Sequence, residues 1–228
     1  MLSEKSIKKK IAIYGGAFDP ITNGHLICIS EIIHSQIVDE VWVVPSGPRN
    51  DKPYMKTSSL DRRIMAELAI NTFFTKDFPV KVLGIETNKK KSMATYDLLC
   101  TLRDKYTNCD FTFVIGSDWL QKANDLRKWK SKDPNDINGE KMITTGSKLI
   151  NEFDFLVIQR PGYDIKNIKS FGHRFKILTL PYNMEYVNIK VSSTEIRKRM
   201  NLKNFSSVGG LMPPAVLAYI IRNNLYRE

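Results

Sequence analysis

The stretch from Ile11 to His25, IAIYGGAFDPITNGH, constrains the fold more than any other part of the chain. It begins with an apolar run that predicts a buried strand, breaks at a glycine pair, and reaches a helical pattern near His25. Glycines lack a Cβ, so a polyphosphate can approach the backbone closely, and the first turn of a helix favours anions. The stretch therefore predicts a phosphate-binding strand, turn and helix, although a glycine pair alone is also a common turn.

Composition is typical of a globular protein that binds anions. The 228 residues suffice for one sizeable core, and we expect a single domain over 1–228. No apolar run is long enough to cross a bilayer and no secretory signal is seen, so we expect a cytoplasmic protein without membrane contact. The net charge of +11 suits polyanions in general, but no recognition-helix pattern accompanies the lysine runs, so nucleic-acid binding is not expected. The three cysteines lack metal-ligand spacing.

Predicted strands and helices alternate along the chain, which indicates an α/β fold with a doubly wound, mostly parallel sheet. After the first unit, strands are predicted at 39–45, 80–85, 111–115, 153–162 and 175–180, and helices at 58–72, 95–103 and 191–200. The polar segment 131–147 has almost no apolar periodicity, and it predicts a mobile surface insertion.

Several charged residues follow predicted strands, at the sheet edge where open α/β folds bind ligands. Arg49 and Lys52 lie in the loop after the second strand, where they can reach a phosphate, although such charges are more often solvated. Asp118 can accept hydrogen bonds from ribose hydroxyls, or cap the helix predicted to follow it. One of Arg62 and Arg63 can face this edge, but exposed helix arginines are the more common case.

Two later features add candidate contacts. Trp129 lies near the end of the helix predicted after Asp118, where its ring can stack on a purine or nicotinate-like ring, although a Trp at helical spacing is more often core. The hydroxyls of residues 192–194 open the last predicted helix, and with its free N–H groups they can hold a triphosphate tail. Arg197 can add a charge-assisted contact, although an ordinary capped helix shows the same pattern.

These motifs resemble those of a known superfamily. The first stretch is similar to the G-G-x-F-D-P-x-[HT]-x-G-H signature of the nucleotidyltransferases, and Val191–Arg197, VSSTEIR, resembles their [IV]-S-S-T-x-I-R motif. Within the superfamily the chain resembles the nicotinate/nicotinamide mononucleotide adenylyltransferases, particularly the bacterial-type nicotinate mononucleotide enzymes, over nearly its whole length. The resemblance extends to the Lys52 loop, Met93-Ala-Thr-Tyr-Asp97, Val114-Ile-Gly-Ser-Asp118, Lys128-Trp129, Arg160-Pro-Gly162 and the ending LMPPAVLAYII.

The resemblance implies a Rossmann-like nucleotidyltransferase fold and a set of ligand contacts. ATP would contact Gly15, Gly16, Phe18, His25, Ser192, Ser193, Thr194 and Arg197. The mononucleotide would contact Gly16, Ala17, Lys52, Thr95, Gly116, Asp118, Trp129 and Arg160. The chain departs from the family where Thr22 replaces a first His, where Met93 and Ala94 replace part of the pyridine-binding string, and where Lys130 replaces a second aromatic. The contacts to the pyridine ring therefore stay open.

The implied reaction is adenylyl transfer. The 5′-phosphate of nicotinate mononucleotide would attack the α-phosphorus of ATP in line, giving the dinucleotide of NAD biosynthesis and pyrophosphate. The protein would position two anions and neutralise charge without a nucleophile of its own. The catalytic contacts would come from His25, Thr22, Lys52 and Arg197, with His25 donating best when doubly protonated. Mg²⁺ would be carried by the ATP phosphates rather than by a protein metal site.

Three functional alternatives stay open at this point, and the sequence is also compatible with a homo-oligomer. The first alternative is the acceptor, because the sequence does not distinguish nicotinate from nicotinamide mononucleotide. Another adenylyl- or cytidylyltransferase, such as the phosphopantetheine type, would carry similar phosphate motifs. A noncatalytic nucleotide or nucleic-acid binder would use the basic surface, but the retention of both phosphate motifs argues against it.

Overall fold

The computed structural model describes residues 7–49, 52, 55, 57–121, 124–136, 141–160, 162–163, 165, 168–202 and 204–227. Its strands are β1 (Lys9–Gly16), β2 (Glu40–Pro45), β3 (Val80–Val82), β4 (Cys109–Gly116), β5 (Lys130–Lys132), β6 (Met142–Thr144), β7 (Asp154–Ile158) and β8 (Phe175–Ile177). Six of them form one sheet in the order β3-β2-β1-β4-β7-β8, with parallel pairing of β4 to both β1 and β7. The predicted α/β fold with a mostly parallel sheet is confirmed.

The helices are α1 (Asn23–His34), α2 (Ser59–Phe73), α3 (Thr95–Lys105), α4 (Gly146–Glu152), α5 (Ser193–Asn201) and α6 (Pro214–Arg222). α2, α3 and α5 begin and end within two residues of the predicted helices, and α1 begins two residues before His25, where a helical pattern was predicted. Among the residues described, no helix has both the length and the apolar character needed to span a bilayer.

The apolar run of β1 forms the centre of the sheet. Ile11, Ala12 and Ile13 are all fully buried, and in the pairing with β4 Ile11 lies opposite Phe111 and Ile13 opposite Phe113. A strand that is buried on both faces reads as a continuous apolar run rather than as an alternating one, which is the pattern that predicted it.

The polar segment 131–147 contains more regular structure than its sequence predicts. β5 and β6 pair antiparallel at its two ends, while residues 137–140 lie outside the described part of the chain. The hydroxyls of Ser131 and Thr145 are buried and lie 2.8 Å apart, and the N–H groups of Thr145 and Gly146 donate to the carbonyl of Trp129. Hydrogen bonds, not apolar periodicity, hold this pair of strands, so the hydrophobic pattern does not reveal it.

Contacts divide the chain into two compact units. One comprises the chain up to Ile13, Ile37–Glu40 and Met93–Thr179, and the other comprises Tyr14–Gln36, Val41–Ser92 and Leu180–Glu228. All the ATP contacts implied by the sequence belong to the second unit. The implied mononucleotide contacts from residue 95 to residue 160 belong to the first unit, and those before residue 53 belong to the second.

Candidate active site

The glycine pair ends β1 rather than interrupting it. Gly15 and Gly16 are the last two residues of the strand, and the carbonyl of Gly16 accepts a hydrogen bond of 2.8 Å from the N–H of Ser46. A Cβ on Gly16 would lie 3.0 Å from the ring of Phe18, which is tighter than ordinary contact. The missing side chain therefore makes room for Phe18, and the strand continues through the glycine pair at which the sequence predicted it to break.

An aromatic cluster holds the imidazole of His25. Phe18 is 3% exposed, and its ring meets that of His25 nearly perpendicularly at a centroid distance of 5.1 Å. The ring of Tyr14 lies 5.5 Å from that of Phe18 and 6.3 Å from that of His25. Edge-to-face contacts of this kind favour one ring orientation over others.

Thr22 and His25 form a capping box at the start of α1. The Thr22 hydroxyl oxygen accepts the N–H of His25 at 3.3 Å and lies 2.9 Å from His25 Nδ1, while the N–H of Thr22 donates to Nδ1 at 3.0 Å. A backbone N–H can only donate, so Nδ1 is an acceptor and the neutral ring carries its proton on Nε2. A second proton on Nδ1 would break this bond, so in this geometry the ring donates from Nε2, whereas the sequence argument named the doubly protonated ring as the better donor.

Thr22 lies inside the protein, against the ring of His25. It is fully buried, and its hydroxyl interacts with His25. In this structure the Thr22 hydroxyl therefore contacts the imidazole and caps α1. The catalytic contact of Thr22 with a ligand stays a prediction.

The two phosphate motifs lie directly against each other. The Ser193 hydroxyl donates to the carbonyl of Pro20 at 2.8 Å, and a Cβ on Gly24 would lie only 3.3 Å from the carbonyl oxygen of Val191. Ser192 caps α5 by accepting the N–H of Glu195 at 3.2 Å. Segments about 170 residues apart in sequence are thereby brought into contact at the starts of α1 and α5.

Arg197 is bound to the first motif. Its Nη1 donates to the carbonyl of Asp19 and lies 3.7 Å from the Asp19 carboxylate, and its Nη2 donates to the Thr194 hydroxyl at 3.3 Å. The side chain of Arg197 is 16% exposed, and that of Asp19 is 2% exposed. A cation, a hydroxyl and the first turn of α5 therefore converge beside the turn that follows β1.

Arg62 is buried, contrary to the expectation for a helix arginine. It has no exposed surface, and it donates to the carbonyls of Ala17 and Ser46, both at 2.6 Å, and to that of Gly47 at 3.2 Å. Burial lowers the pKa of its guanidinium. Glu86, also buried, accepts the N–H of Gly47 at 2.8 Å. These two buried charges fix the loop after β2, and Arg62 ties that loop to the turn after β1.

A signal for Arg62 was present in the sequence. Arg62, Met65, Ala66 and Ala69 are all buried on α2, at the spacing of one helix face. A charged side chain on the buried face of a helix needs hydrogen-bond acceptors inside the protein. The backbone carbonyls of the turn after β1 and of the loop after β2 supply them. Arg63, on another face, pairs with Glu67 at 2.8 Å.

Lys52 lies in the segment between β2 and α2. Its N–H donates to the carbonyl of Arg49 at 3.1 Å, its carbonyl accepts the N–H of Met55 at 2.9 Å, and its side chain is half-buried. Residues 50, 51, 53 and 54 of the same loop lie outside the described part of the chain. The phosphate contact of Lys52 stays a prediction.

In the first unit, Asp118 and Arg160 meet beside Gly116. Asp118 Oδ2 accepts from Arg160 Nη1 at 3.2 Å, and a Cβ on Gly116 would lie 2.3 Å from Asp118 Oδ1. The side chain of Asp118 does not cap the turn that follows β4. Its Oδ1 is buried and has no hydrogen-bond partner among the residues that the structure describes. This acceptor can therefore receive a hydroxyl donor from a ligand.

Trp129 follows a short 3₁₀ turn, Leu126–Lys128, rather than the helix predicted between Asp118 and itself. Its ring is half-buried and meets that of Trp119 nearly perpendicularly at 5.0 Å, and Trp119 is 38% exposed. The sequence did not indicate this second ring. Thr95 is the first residue of α3, half-buried and without a side-chain cap before it. The mononucleotide contacts of Thr95 and Trp129 stay predictions.

Comparisons with known proteins show which proteins this chain is similar to. Residues 13–199 match the family model described as cytidylyltransferase-like. Two relatives, each named a probable nicotinate-nucleotide adenylyltransferase, come from Bacillus licheniformis (30% identical, covering 96% of this chain and 98% of the relative) and Bacillus cytotoxicus (33% identical, covering 96% and 100%). A solved structure of Plasmodium falciparum nicotinic acid mononucleotide adenylyltransferase complexed with NaAD superposes with a TM-score of 0.73 at 30% identity, covering 96% of this chain and 97% of that one. The same enzyme complexed with APC gives 0.70 at 28% identity, with the same coverage.

Proposed function

The chain belongs to the cytidylyltransferase-like family and, within it, to the nicotinate-nucleotide adenylyltransferases, and we infer that it transfers AMP from ATP to nicotinate mononucleotide. The products are the dinucleotide and pyrophosphate, in a step of NAD biosynthesis. The observation that carries this function is the packing of the two phosphate motifs at the starts of α1 and α5. A triphosphate needs donors at both of its ends, and this arrangement supplies them from two sides.

ATP binds through its phosphates to the second unit. His25 donates from Nε2 to the oxygens near the α-phosphorus, because its Nδ1 already interacts with the N–H and the hydroxyl of Thr22. Arg197 and the first turn of α5 receive the terminal phosphates, where a guanidinium and backbone N–H groups favour negative charge. Lys52 adds a charge to the same ligand or to the mononucleotide phosphate.

The chemistry needs positioning and charge compensation rather than a protein nucleophile. The 5′-phosphate of the mononucleotide attacks the α-phosphorus of ATP, and the bond to the leaving pyrophosphate breaks on the opposite side. Negative charge grows on the nonbridging oxygens and on the pyrophosphate. His25 and Arg197 are held by buried partners before the ligand arrives, so little reorganisation is needed when this charge develops.

The mononucleotide draws on residues of the first unit. Asp118 Oδ1 accepts from a ribose hydroxyl, which gives this buried oxygen the hydrogen bond that it lacks among the described residues. Arg160 holds the other oxygen of the same carboxylate. Trp129, together with the exposed Trp119, offers apolar surface to the pyridine ring.

Mg²⁺ accompanies ATP in this proposal and is held by its phosphates. In the described part of the chain, no group of three or more His, Cys, Asp or Glu side chains is arranged to hold a metal ion. The nearest carboxylate in the turn after β1, Asp19, is buried and faces Arg197. Phosphate oxygens and water suit Mg²⁺ well, and the bound ion compensates phosphate charge. Location in the cytoplasm and assembly into oligomers stay predictions from sequence.

The test is a substrate panel. The protein is incubated with ATP, magnesium and one acceptor at a time: nicotinate mononucleotide, nicotinamide mononucleotide or phosphopantetheine. Chromatography then detects each adenylylated product, and a coupled assay measures pyrophosphate. We expect nicotinate adenine dinucleotide to form, and comparison with the second acceptor settles the pyridine preference. Formation of dephospho-coenzyme A alone, or tight polynucleotide binding without turnover, would refute the proposal.

A further inference from the structure

Asp19 is a buried carboxylate in the turn between β1 and α1. It is 2% exposed, and its Oδ1 accepts a 2.6 Å hydrogen bond from the hydroxyl of Tyr226, a residue that follows α6. Its Oδ2 has no hydrogen-bond partner among the described residues and faces Arg197 Nη1 at 3.7 Å. The Asp19 carboxylate thus lies between a phenol and a guanidinium.

Asp19 supplies two of the contacts that hold Arg197. Arg197 donates to the carbonyl of Asp19 and faces its carboxylate, so both groups of one residue hold the same guanidinium. Rotation of the Asp19 side chain would change the distance between its carboxylate and the guanidinium of Arg197. The Tyr226 hydroxyl opposes that rotation because it fixes the other carboxylate oxygen.

We propose that Tyr226 is a positioning residue for ATP binding, which acts through Asp19 to hold Arg197 at the terminal phosphates. The proposal rests on the function inferred above, in which Arg197 binds the triphosphate. Tyr226 itself need not touch the nucleotide. Its contribution comes from a segment 207 residues away from Asp19 in sequence, and neither phosphate motif includes it.

Elementary electrostatics explains why this bond matters. A buried carboxylate is costly unless it is paired with a cation and hydrogen-bonded, and Asp19 has Arg197 for the first and Tyr226 for the second. Without the phenol, Oδ1 would lack its donor, and the carboxylate would turn toward Arg197 and draw the guanidinium away from a ligand. Burial, with Asp19 nearby, raises the pKa of Tyr226, so the phenol stays protonated and donates throughout the physiological range.

The chain offers a matched control for this contact. Tyr219 on α6 donates to the carboxylate of Asp61 at 2.8 Å, and Asp61 lies in the first turn of α2. Tyr219→Phe and Tyr226→Phe each remove one phenol–carboxylate hydrogen bond from the same unit. Only Tyr226→Phe removes a bond to Asp19, so the comparison separates a general loss of stability from an effect on the site.

The experiment measures ATP affinity by calorimetry without acceptor, kinetic constants with acceptor, and unfolding by urea. We expect Tyr226→Phe to weaken ATP binding and raise KM for ATP by about 10-fold, as for loss of one hydrogen bond to a charged group. KM for nicotinate mononucleotide should change by less than about 2-fold. Tyr219→Phe should lower stability similarly but leave ATP affinity unchanged.

A double-mutant cycle tests the route through Arg197. In an Arg197→Lys background, Tyr226→Phe should weaken ATP binding by less than about 2-fold, because the group that it positions is gone. Equal effects in both backgrounds, or wild-type ATP affinity in Tyr226→Phe, would overturn the proposal.

A second variant covers the case in which Tyr226→Phe does not fold. Asp19→Asn keeps an acceptor for the phenol and removes the charge that faces Arg197, so it should weaken ATP binding as well. Unchanged ATP affinity in Asp19→Asn would then refute the positioning role. If the wild type binds ATP but makes no dinucleotide, the proposed function fails while these affinity measurements still decide the role of Tyr226.

Discussion

Replacing Thr22 by Val tests whether the capping box orients the imidazole of His25 for the catalytic role proposed above. Val keeps the branched shape of a fully buried side chain and removes its hydroxyl. The hydroxyl makes two contacts, one with the N–H of His25 at 3.3 Å and one with Nδ1 of the same ring at 2.9 Å. The bond from the Thr22 N–H to Nδ1 is retained, so the ring keeps its tautomer. It loses the contact between Nδ1 and the Thr22 hydroxyl.

The magnitude follows from these two contacts. Loss of an N-cap costs about 0.5–2 kcal/mol, and loss of a neutral hydrogen bond about 0.5–1.5 kcal/mol. Since one hydroxyl makes both contacts, we expect the free energy of unfolding to fall by about 1–3 kcal/mol. Removing a transition-state donor entirely would cost about 10²- to 10³-fold in kcat, so a loosened donor should cost about 10-fold.

Two control variants separate stability from catalysis. Thr22→Ser keeps the hydroxyl, so it should retain kcat within about 3-fold. Ser58→Ala removes the N-cap of α2, whose side chain accepts the N–H of Asp61 at 3.0 Å, and it touches no imidazole. It should lower stability by about 1 kcal/mol and leave kcat unchanged.

Urea unfolding and steady-state kinetics below the unfolding range provide the measurements. If Thr22→Val loses stability as Ser58→Ala does but turns over at the wild-type rate, the capping box is structural only. That result would refute the argument that Thr22 orients His25. A kcat loss in Thr22→Ser equal to that in Thr22→Val would also contradict it, because the serine retains the hydroxyl.

Three further predictions follow from the same geometry. His25→Ala should lower kcat by about 10²- to 10³-fold, whereas alanine at His34, at the other end of α1, should leave turnover unchanged in the same assay. Gly116→Ala would place a Cβ 2.3 Å from Asp118 Oδ1, so KM for the mononucleotide should rise by about 10-fold; an unchanged KM would contradict the assigned contact. Burial and a carboxylate acceptor raise the pKa of Tyr219 from 10.0 to about 12, so the folded state binds its proton more tightly. The resulting stability is present below the unfolded pKa and is lost as pH rises toward 12; urea midpoints should therefore fall less steeply above pH 10 in Tyr219→Phe than in the wild type.

Local patterns along the sequence determined most of the fold. The continuous apolar run of β1 predicted a buried strand, and Ile11 through Ile13 are fully buried. Helix-period patterns with capping residues predicted α2 and α5 within two residues at their ends. These features depend on residues that are close in sequence, so the pattern of the sequence alone can predict them.

The sequence also determined which residues belong to the phosphate motifs, but not what each side chain does. Thr22 is a candidate phosphate donor in the motif, and only the structure shows that it is fully buried with its hydroxyl 2.9 Å from His25 Nδ1. The sequence left open whether Arg62 or Arg63 faces the sheet edge, with exposure the more common case, and the fold provides three backbone carbonyls for the guanidinium of Arg62 inside the protein. A motif gives the residue type, whereas the direction of the side chain depends on packing from distant segments.

Contacts between remote segments were decided by the tertiary structure alone. Tyr226 reaches Asp19 across 207 residues, and no periodicity or motif marks it. Ser131 and Thr145 pair two strands through buried hydroxyls in a segment that read as irregular. Sequence patterns indicate local secondary-structure preference and amphipathicity. A single hydrogen bond between side chains that are distant in sequence produces no periodic pattern. The sequence therefore predicts where the phosphates bind, while the hydrogen bonds that surround those residues are seen only in the fold.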